Sequence, residues 1–211
     1  MTSRLGVYGG MFDPVHNGHI DAARYAVSLL NLDRLLLIPC ATPNHRDPAT
    51  ASAEHRLRML AMAIADYRKL AADAREIERE GVSYAVDTLA ELRDEGDYQQ
   101  LVFVMGLDAF NTLPQWHQWQ RILELSHVLV LNRDGARLDD QAATATGLAS
   151  RSVDTPEELF AEDRGSIYVA EDFDYGLSST QVRRSLRANE RTDNMLDEKV
   201  RLYIEDHRLY R

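Results

Sequence analysis

Apolar residues in this chain gather in short continuous runs, at Leu5–Tyr8, Arg34–Pro39, Leu101–Met105, Val128–Asn132 and Ile167–Ala170. Between the runs they recur at intervals of three and four. Ile20, Ala23, Val27 and Leu30 form one such stripe, and Leu57, Leu60, Ala61 and Ile64 another, the spacing of helices with one buried face. Strand-length runs alternating with helical stretches predict an α/β domain with a parallel sheet and crossover helices. Ala72–Glu80 is too polar for its period to type it, but the alternation asks for a further strand there, which we read as an edge strand. Ala41–Ala51 holds two prolines directly after a strand, which predicts a mobile loop at the carboxyl edge of the sheet. Asp134–Arg151, rich in Gly, Ala, Thr, Asp and Arg, reads as a surface excursion. Leu196, Val200, Tyr203 and Ile204 predict a closing helix within Leu196–Tyr210 whose role is packing. No segment repeats.

With 211 residues the chain supports one sizeable core, so residues 1–211 read as a single domain with residues 178–211 as a C-terminal helical subregion. Hydrophobic residues make up 45% of it and no apolar run approaches the roughly 18 residues of a membrane helix. A membrane role is therefore not expected. The N-terminus enters a strand-like segment without the basic and apolar stretches of a signal peptide, and the single Cys40 fits a reducing compartment. Both point to the cytoplasm, with Cys40 a small packing residue. The net charge of −10 argues against nucleic acid as a partner, since phosphate backbones are held by excess Lys and Arg. A small anionic substrate needs only a local cluster of donors.

Two segments offer such clusters. Gly9-Gly10-Met11-Phe12-Asp13-Pro14-Val15-His16-Asn17-Gly18-His19 follows the first strand and runs into a helical pattern. Its glycines let the backbone turn sharply and approach a ligand, and the helix start presents unpaired N–H groups to phosphate. His16 and His19, three apart across that start, lie on one side and can donate to one phosphate group, while Gly18 leaves room for it. Gly176-Leu177-Ser178-Ser179-Thr180-Gln181-Val182-Arg183-Arg184 opens a second helix with hydroxyls, N–H groups and an Arg one turn in, again an anion site. Taken singly, each is also what an ordinary capped helix with a solvated face would carry.

Together they resemble the nucleotidylyltransferase superfamily, with its His-x-Gly-His turn after strand one and its late Ser-Ser/Thr-x-x-Arg helix start. Within it the chain is similar to the nicotinate-nucleotide adenylyltransferase family. Gly9 through His19 match that family's Gly-Gly-x-Phe-Asp-Pro-x-His-x-Gly-His. Pro43-Asn44-His45-Arg46 resembles its Pro-Pro-His-Lys, Ser52–Leu60 its His-Arg-Leu-x-Met-Leu helix, and Ser83-Tyr84-Ala85-Val86-Asp87-Thr88-Leu89 its Ser-Tyr-Thr-x-Asp-Thr-Leu. Gly106-Leu107-Asp108 and Leu113–Trp116 match its Gly-x-Asp and Leu-x-x-Trp elements. The likeness spans residues 4 to about 208. Three positions depart from the pattern: Met11 replaces Thr or Ser, Asn44 and Arg46 replace Pro and Lys, and Ala85 replaces Thr.

The resemblance implies a Rossmann-like doubly wound parallel sheet. It implies a reaction in which the 5′-phosphate of nicotinate mononucleotide attacks the α-phosphorus of ATP, with Mg²⁺ carried mainly by the ATP phosphates, no all-protein metal cage and no covalent enzyme intermediate. By the same likeness His16, His19 and Arg183 are the catalytic residues. ATP would be held by Gly9, Gly10, Met11, Phe12, Gly18, Gly106 and Asp108, the last at the ribose, and by Ser178, Ser179 and Thr180 with Arg183 at the β- and γ-phosphates. The acceptor would be held by His45 and Arg46 closing over its anions, by Tyr84, Ala85 and Thr88 at the nicotinate carboxylate, and by Trp116 as a flat face for the ring. Trp119 is expected to pack. A related enzyme with another phosphate acceptor, nicotinamide mononucleotide or phosphopantetheine, would share the ATP half. The Ser-Tyr-x-x-Asp-Thr-Leu and Leu-x-x-Trp motifs speak against phosphopantetheine. A silent nucleotide-binding regulator should have lost His16, His19 or Arg183, and all three are present. Oligomeric state is left open, with a homodimer compatible.

Overall fold

The computed structural model describes residues 3–41, 49–79, 81–132, 137–173 and 176–211. Six strands form one sheet: β1 (Arg4–Gly10), β2 (Arg34–Pro39), β3 (Leu70–Ala72), β4 (Gln100–Gly106), β5 (His127–Leu131) and β6 (Ile167–Ala170). Their order is β3-β2-β1-β4-β5-β6 and every pairing is parallel. The connections contain α1 (Asn17–Leu29), α2 (Ala53–Ile64), α3 (Arg75–Glu78), α4 (Ala85–Glu95), α5 (Leu107–Thr112), α6 (Trp119–Leu125), α7 (Asp140–Thr146) and α8 (Leu148–Arg151). Helices α9 (Ser179–Arg187) and α10 (Glu198–Asp206) follow the last strand.

Register explains why the strand runs are apolar at consecutive positions. Neighbours in a parallel ladder point to the same face and successive residues to opposite faces. Leu36, Val7, Phe103, Val128 and Ile167 are aligned across five strands and belong to one core cluster with Val86 and Leu89 of α4 and Ile122 of α6. The next row, Leu37, Tyr8, Val104, Leu129 and Tyr168, faces the other cluster, which holds Ala23 of α1, Leu60 of α2, Val182 of α9 and Val200 and Ile204 of α10. A sheet covered on both faces needs apolar residues at every position. Gly6 belongs to this packing: a Cβ there would lie 2.6 Å from Leu32 Cδ1.

Two expectations are corrected. The edge strand lies earlier than expected, at Leu70–Ala72, so that of the stretch 72–80 only Ala72 belongs to it, and Arg75–Glu78 forms a helical turn. An edge strand has one partner, and this one aligns only three residues with β2. Asp134–Arg151, read as a surface excursion, is mostly exposed where described but is helical and not a loop. It folds as α7, capped by the Asp139 side chain on the Ala142 N–H and stopped by left-handed Gly147, and then as α8. Residues 42–48, within the loop expected to be mobile, lie outside the described residues. No helix among the described residues is long and apolar enough to cross a membrane.

Strand order reverses between β1 and β4, because their crossovers leave in opposite directions. Open α/β sheets bind ligands in the crevice at that switch point, outside the carboxyl ends of the strands.

Candidate active site

A cleft of about 950 Å³ opens at that place, in the size range of small-molecule sites. Every site residue expected from the sequence lines it except His45 and Arg46, which lie outside the described residues. The turn after β1 forms its floor. There Phe12 takes a left-handed backbone with φ of 47°, a conformation that costs a bulky residue energy and persists only when packing dictates it. Packing does so here, since the buried Phe12 ring meets Tyr8 and His19 edge-on, at centroid distances of 5.7 and 4.9 Å. The Asp13–Pro14 peptide is cis.

His16 caps α1 from an extended backbone and His19 is its third residue. Their rings stack with centroids 3.7 Å apart and planes at 24°. The His16 N–H donates to His19 Nδ1 at 3.2 Å. A ring nitrogen that accepts carries no proton, so neutral His19 keeps its proton on Nε2 as a donor. The sequence spacing thus becomes two parallel imidazoles at one helix start, where the helix dipole also favours an anion.

The second phosphate motif reaches the same cleft. Ser178 and Gln181 cap α9 reciprocally, with the Gln181 N–H donating to Ser178 Oγ at 3.3 Å and the Ser178 N–H to Gln181 Oε1 at 2.8 Å. Ser179 Oγ donates to the Pro14 carbonyl at 3.1 Å. These hydroxyls therefore build the site, holding α9 against the β1 turn. Arg183 Nη1 donates to the Asp13 carbonyl oxygen at 2.7 Å and Nη2 to Thr180 Oγ1 at 3.4 Å. Asp108, exposed at the start of α5, and Gly106, where an added Cβ would meet nothing within 4 Å, line the cleft from β4.

The cleft is also lined by the start of α4, where Tyr84 is the N-cap and no side chain caps the helix. The geometry of any helix start leaves its first N–H groups, here Ala85 and Val86, without intrahelical acceptors. The Tyr84 ring lies 4.2 Å from that of His117. Trp116 stands edge-on to Phe103 at 6.3 Å and donates from Nε1 to Thr112 Oγ1 at 3.3 Å. Trp119 packs on the core cluster beneath. Thr88 is buried, and its hydroxyl already donates to Glu76 Oε1 at 2.9 Å. Burial pushes the Glu76 carboxyl above its ordinary range against the opposing bond from Thr88 and the charge of Arg79.

A cytidylyltransferase-like family model matches residues 7–185. A protein of Methylococcus capsulatus named probable nicotinate-nucleotide adenylyltransferase is 40% identical over 98% of this chain and 99% of its own length. A Pseudomonas putida protein of the same name is 39% identical over 99% of this chain and 95% of its own. The chain belongs to the nicotinate-nucleotide adenylyltransferase family. The solved nicotinic acid mononucleotide adenylyltransferase of Plasmodium falciparum, complexed with NaAD, superposes with a TM-score of 0.73 at 16% identity, covering 99% of this chain and 97% of that one. That likeness shows the shared nucleotidyltransferase fold.

Four residues of this family member escaped the sequence reading. Asp13, inside the quoted motif, is buried and accepts from the N–H groups of Thr50 at 2.7 Å and Ala51 at 3.1 Å and from the Tyr210 hydroxyl at 2.7 Å. Arg56, 1% exposed, donates to the carbonyl oxygens of Met11 at 2.8 Å and Ala41 at 3.2 Å. Burial lowers its pKa. Glu76 and His117 line the cleft. An acidic Asp-Pro turn was the only local signal for Asp13, and nothing near Tyr210 pointed to it.

Proposed function

We propose that this chain, in the cytoplasm, transfers the adenylyl group of ATP to nicotinate mononucleotide, giving deamido-NAD and pyrophosphate. The observation that carries the reading is the convergence of both phosphate motifs, His16 with His19 and Arg183 on α9, on one cleft that the uncapped start of α4 and Trp116 also line. An oxygen of the acceptor 5′-phosphate attacks the α-phosphorus in line. The bond to the bridging oxygen breaks, and its electron pair leaves with pyrophosphate. Such a step needs positioning and charge stabilisation more than acid–base chemistry. Main chain at Gly9 and Gly10 lets the triphosphate lie close to the sheet edge. His19 Nε2–H and the neighbouring His16 ring meet the oxygens on which charge builds, and Arg183 holds the β- and γ-phosphates.

Mg²⁺ enters with ATP as part of the substrate. Among the described residues no three His, Cys, Asp or Glu groups gather to hold a metal. Both Asp13 oxygens are engaged by the protein. At the acceptor end the Ala85 and Val86 N–H groups take the nicotinate carboxylate and Trp116 faces the pyridine ring. Because Thr88 Oγ1 is committed to Glu76, main chain rather than hydroxyls does the sorting, which suits the Ala85 that replaces the family's Thr. Incubation with ATP, Mg²⁺ and nicotinate mononucleotide should yield one deamido-NAD and one pyrophosphate per adenylyl group transferred. ATP consumption without a dinucleotide product would refute the reading.

A further inference from the structure

The hydroxyl of Tyr210, the penultimate residue, reaches across the sequence to the floor of the cleft. The side chain is 4% exposed, and its backbone is left-handed with φ of 64°, a strained state kept only where the surroundings impose it. It donates to Asp13 Oδ1, which also accepts from Ala51, while Oδ2 accepts from Thr50. With both Asp13 oxygens so engaged, Arg183 makes only a long ion pair with the carboxylate, Nη1 to Oδ2 at 3.9 Å, and donates its short bond to the Asp13 main-chain oxygen at 2.7 Å. A guanidinium and a carboxylate form short, strong charge-assisted bonds where both are free to meet, and other donors on the carboxylate compete with that pairing. Here those donors are the main-chain N–H groups of Thr50 and Ala51, just ahead of α2, and the hydroxyl of Tyr210.

We propose that Tyr210 is a positioning residue for adenylyl transfer: its hydroxyl pins the Asp13 carboxylate so that Arg183 remains directed at the polyphosphate. Without that hydroxyl, Oδ1 loses one of its two donors, the carboxylate turns toward Arg183, and the guanidinium is drawn off the phosphates. The inference rests on the adenylyltransferase reading. That reading is tested by product formation in the unaltered protein, and this one by ratios between variants.

Tyr210→Phe keeps the ring and its buried contacts while deleting the donor. The expected result is a kcat lower by about tenfold, on the scale of small misplacements of a reacting group, with the KM for nicotinate mononucleotide unchanged and the melting temperature within a few degrees. In an Arg183→Ala background the same substitution should have no further effect on kcat, since residues acting through one group are not additive. A general loosening would lower kcat by the same factor in both backgrounds, and that result overturns the proposal, as does a Tyr210→Phe enzyme with unaltered kcat. Should the phenylalanine variant not fold, Tyr210→Met fills the same space without a donor and is judged by the same two comparisons.

Discussion

Acidification should expose a weakness at the amino ends of the strands, away from the cleft. His127 opens β5 at its amino end and is fully buried. Burial first, then the Arg93 guanidinium, push its pKa from 6.5 down to about 4, while the Glu162 backbone and the Asp163 carboxylate oppose them. The folded chain therefore keeps this imidazole neutral where the unfolded chain would protonate it. Below pH 6.5 the unfolded state takes up a proton that the folded state refuses until about pH 4, so the stability is complete above 6.5 and drains across that window. At about 1.4 kcal/mol per pH unit, lowering the pH from 7.5 to 4 removes about 3 kcal/mol through this group alone, and by pH 5.5 about 1.4 kcal/mol has gone. That is a large part of the roughly 5–15 kcal/mol a domain of this kind possesses. Urea midpoints followed by circular dichroism at pH 7.5, 5.5 and 4 would measure it in the native chain and in His127→Leu, which removes the titrating group. The difference in stability between the two should shift by these amounts as pH falls. Parallel pH profiles would refute the reasoning.

His19→Ala should lower kcat by about 10²–10³, the cost of removing one donor to transition-state charge, and leave ATP binding, measured by calorimetry, less affected. Trp116→Ala should raise the KM for nicotinate mononucleotide about tenfold through lost ring stacking while the KM for ATP, fitted in the same steady-state series, stays within about twofold. Arg56→Met should destabilise the fold by about 2–4 kcal/mol in urea titrations, because two charged hydrogen bonds vanish and the Met11 and Ala41 carbonyls are orphaned.

The strands β1, β2, β4 and β5 were legible because most of their residues are buried, and apolar side chains at consecutive positions such as Leu35, Leu36 and Leu37 leave an unbroken trace. At one edge of the sheet, β6 was legible from its apolar run although Tyr168 and Val169 are only half-buried. Leu70–Ala72 left none, since a three-residue strand at the sheet edge depends on its one neighbour, not on its own pattern. Helix α7 has little apolar stripe. Its readable signals were Asp139 and Gly147, a cap at each end, and composition masked them. The phosphate motifs were visible because backbone turns and helix starts are local devices with fixed spacing. The groups that hold those motifs are not local. Asp13 to Tyr210 spans 197 positions and Arg183 to Asp13 spans 170, and no periodicity connects such pairs. The hydroxyls of Ser178 and Ser179 carry a related lesson. Their residue type fits phosphate, and the capping box and the bond to Pro14 show that they also help to fix α9, a second role that spacing alone does not reveal.

The central claim is that the helix start at Tyr84 reads a carboxylate. Steady-state kinetics at saturating ATP and Mg²⁺, with nicotinate and nicotinamide mononucleotides as rival acceptors, tests it most directly. A carboxylate accepts from N–H groups at both oxygens, whereas an amide turns one donor toward them. The specificity constant for nicotinate mononucleotide should be higher by about 10²–10⁴, and comparable constants for the two acceptors would show that the helix start does not select the carboxylate.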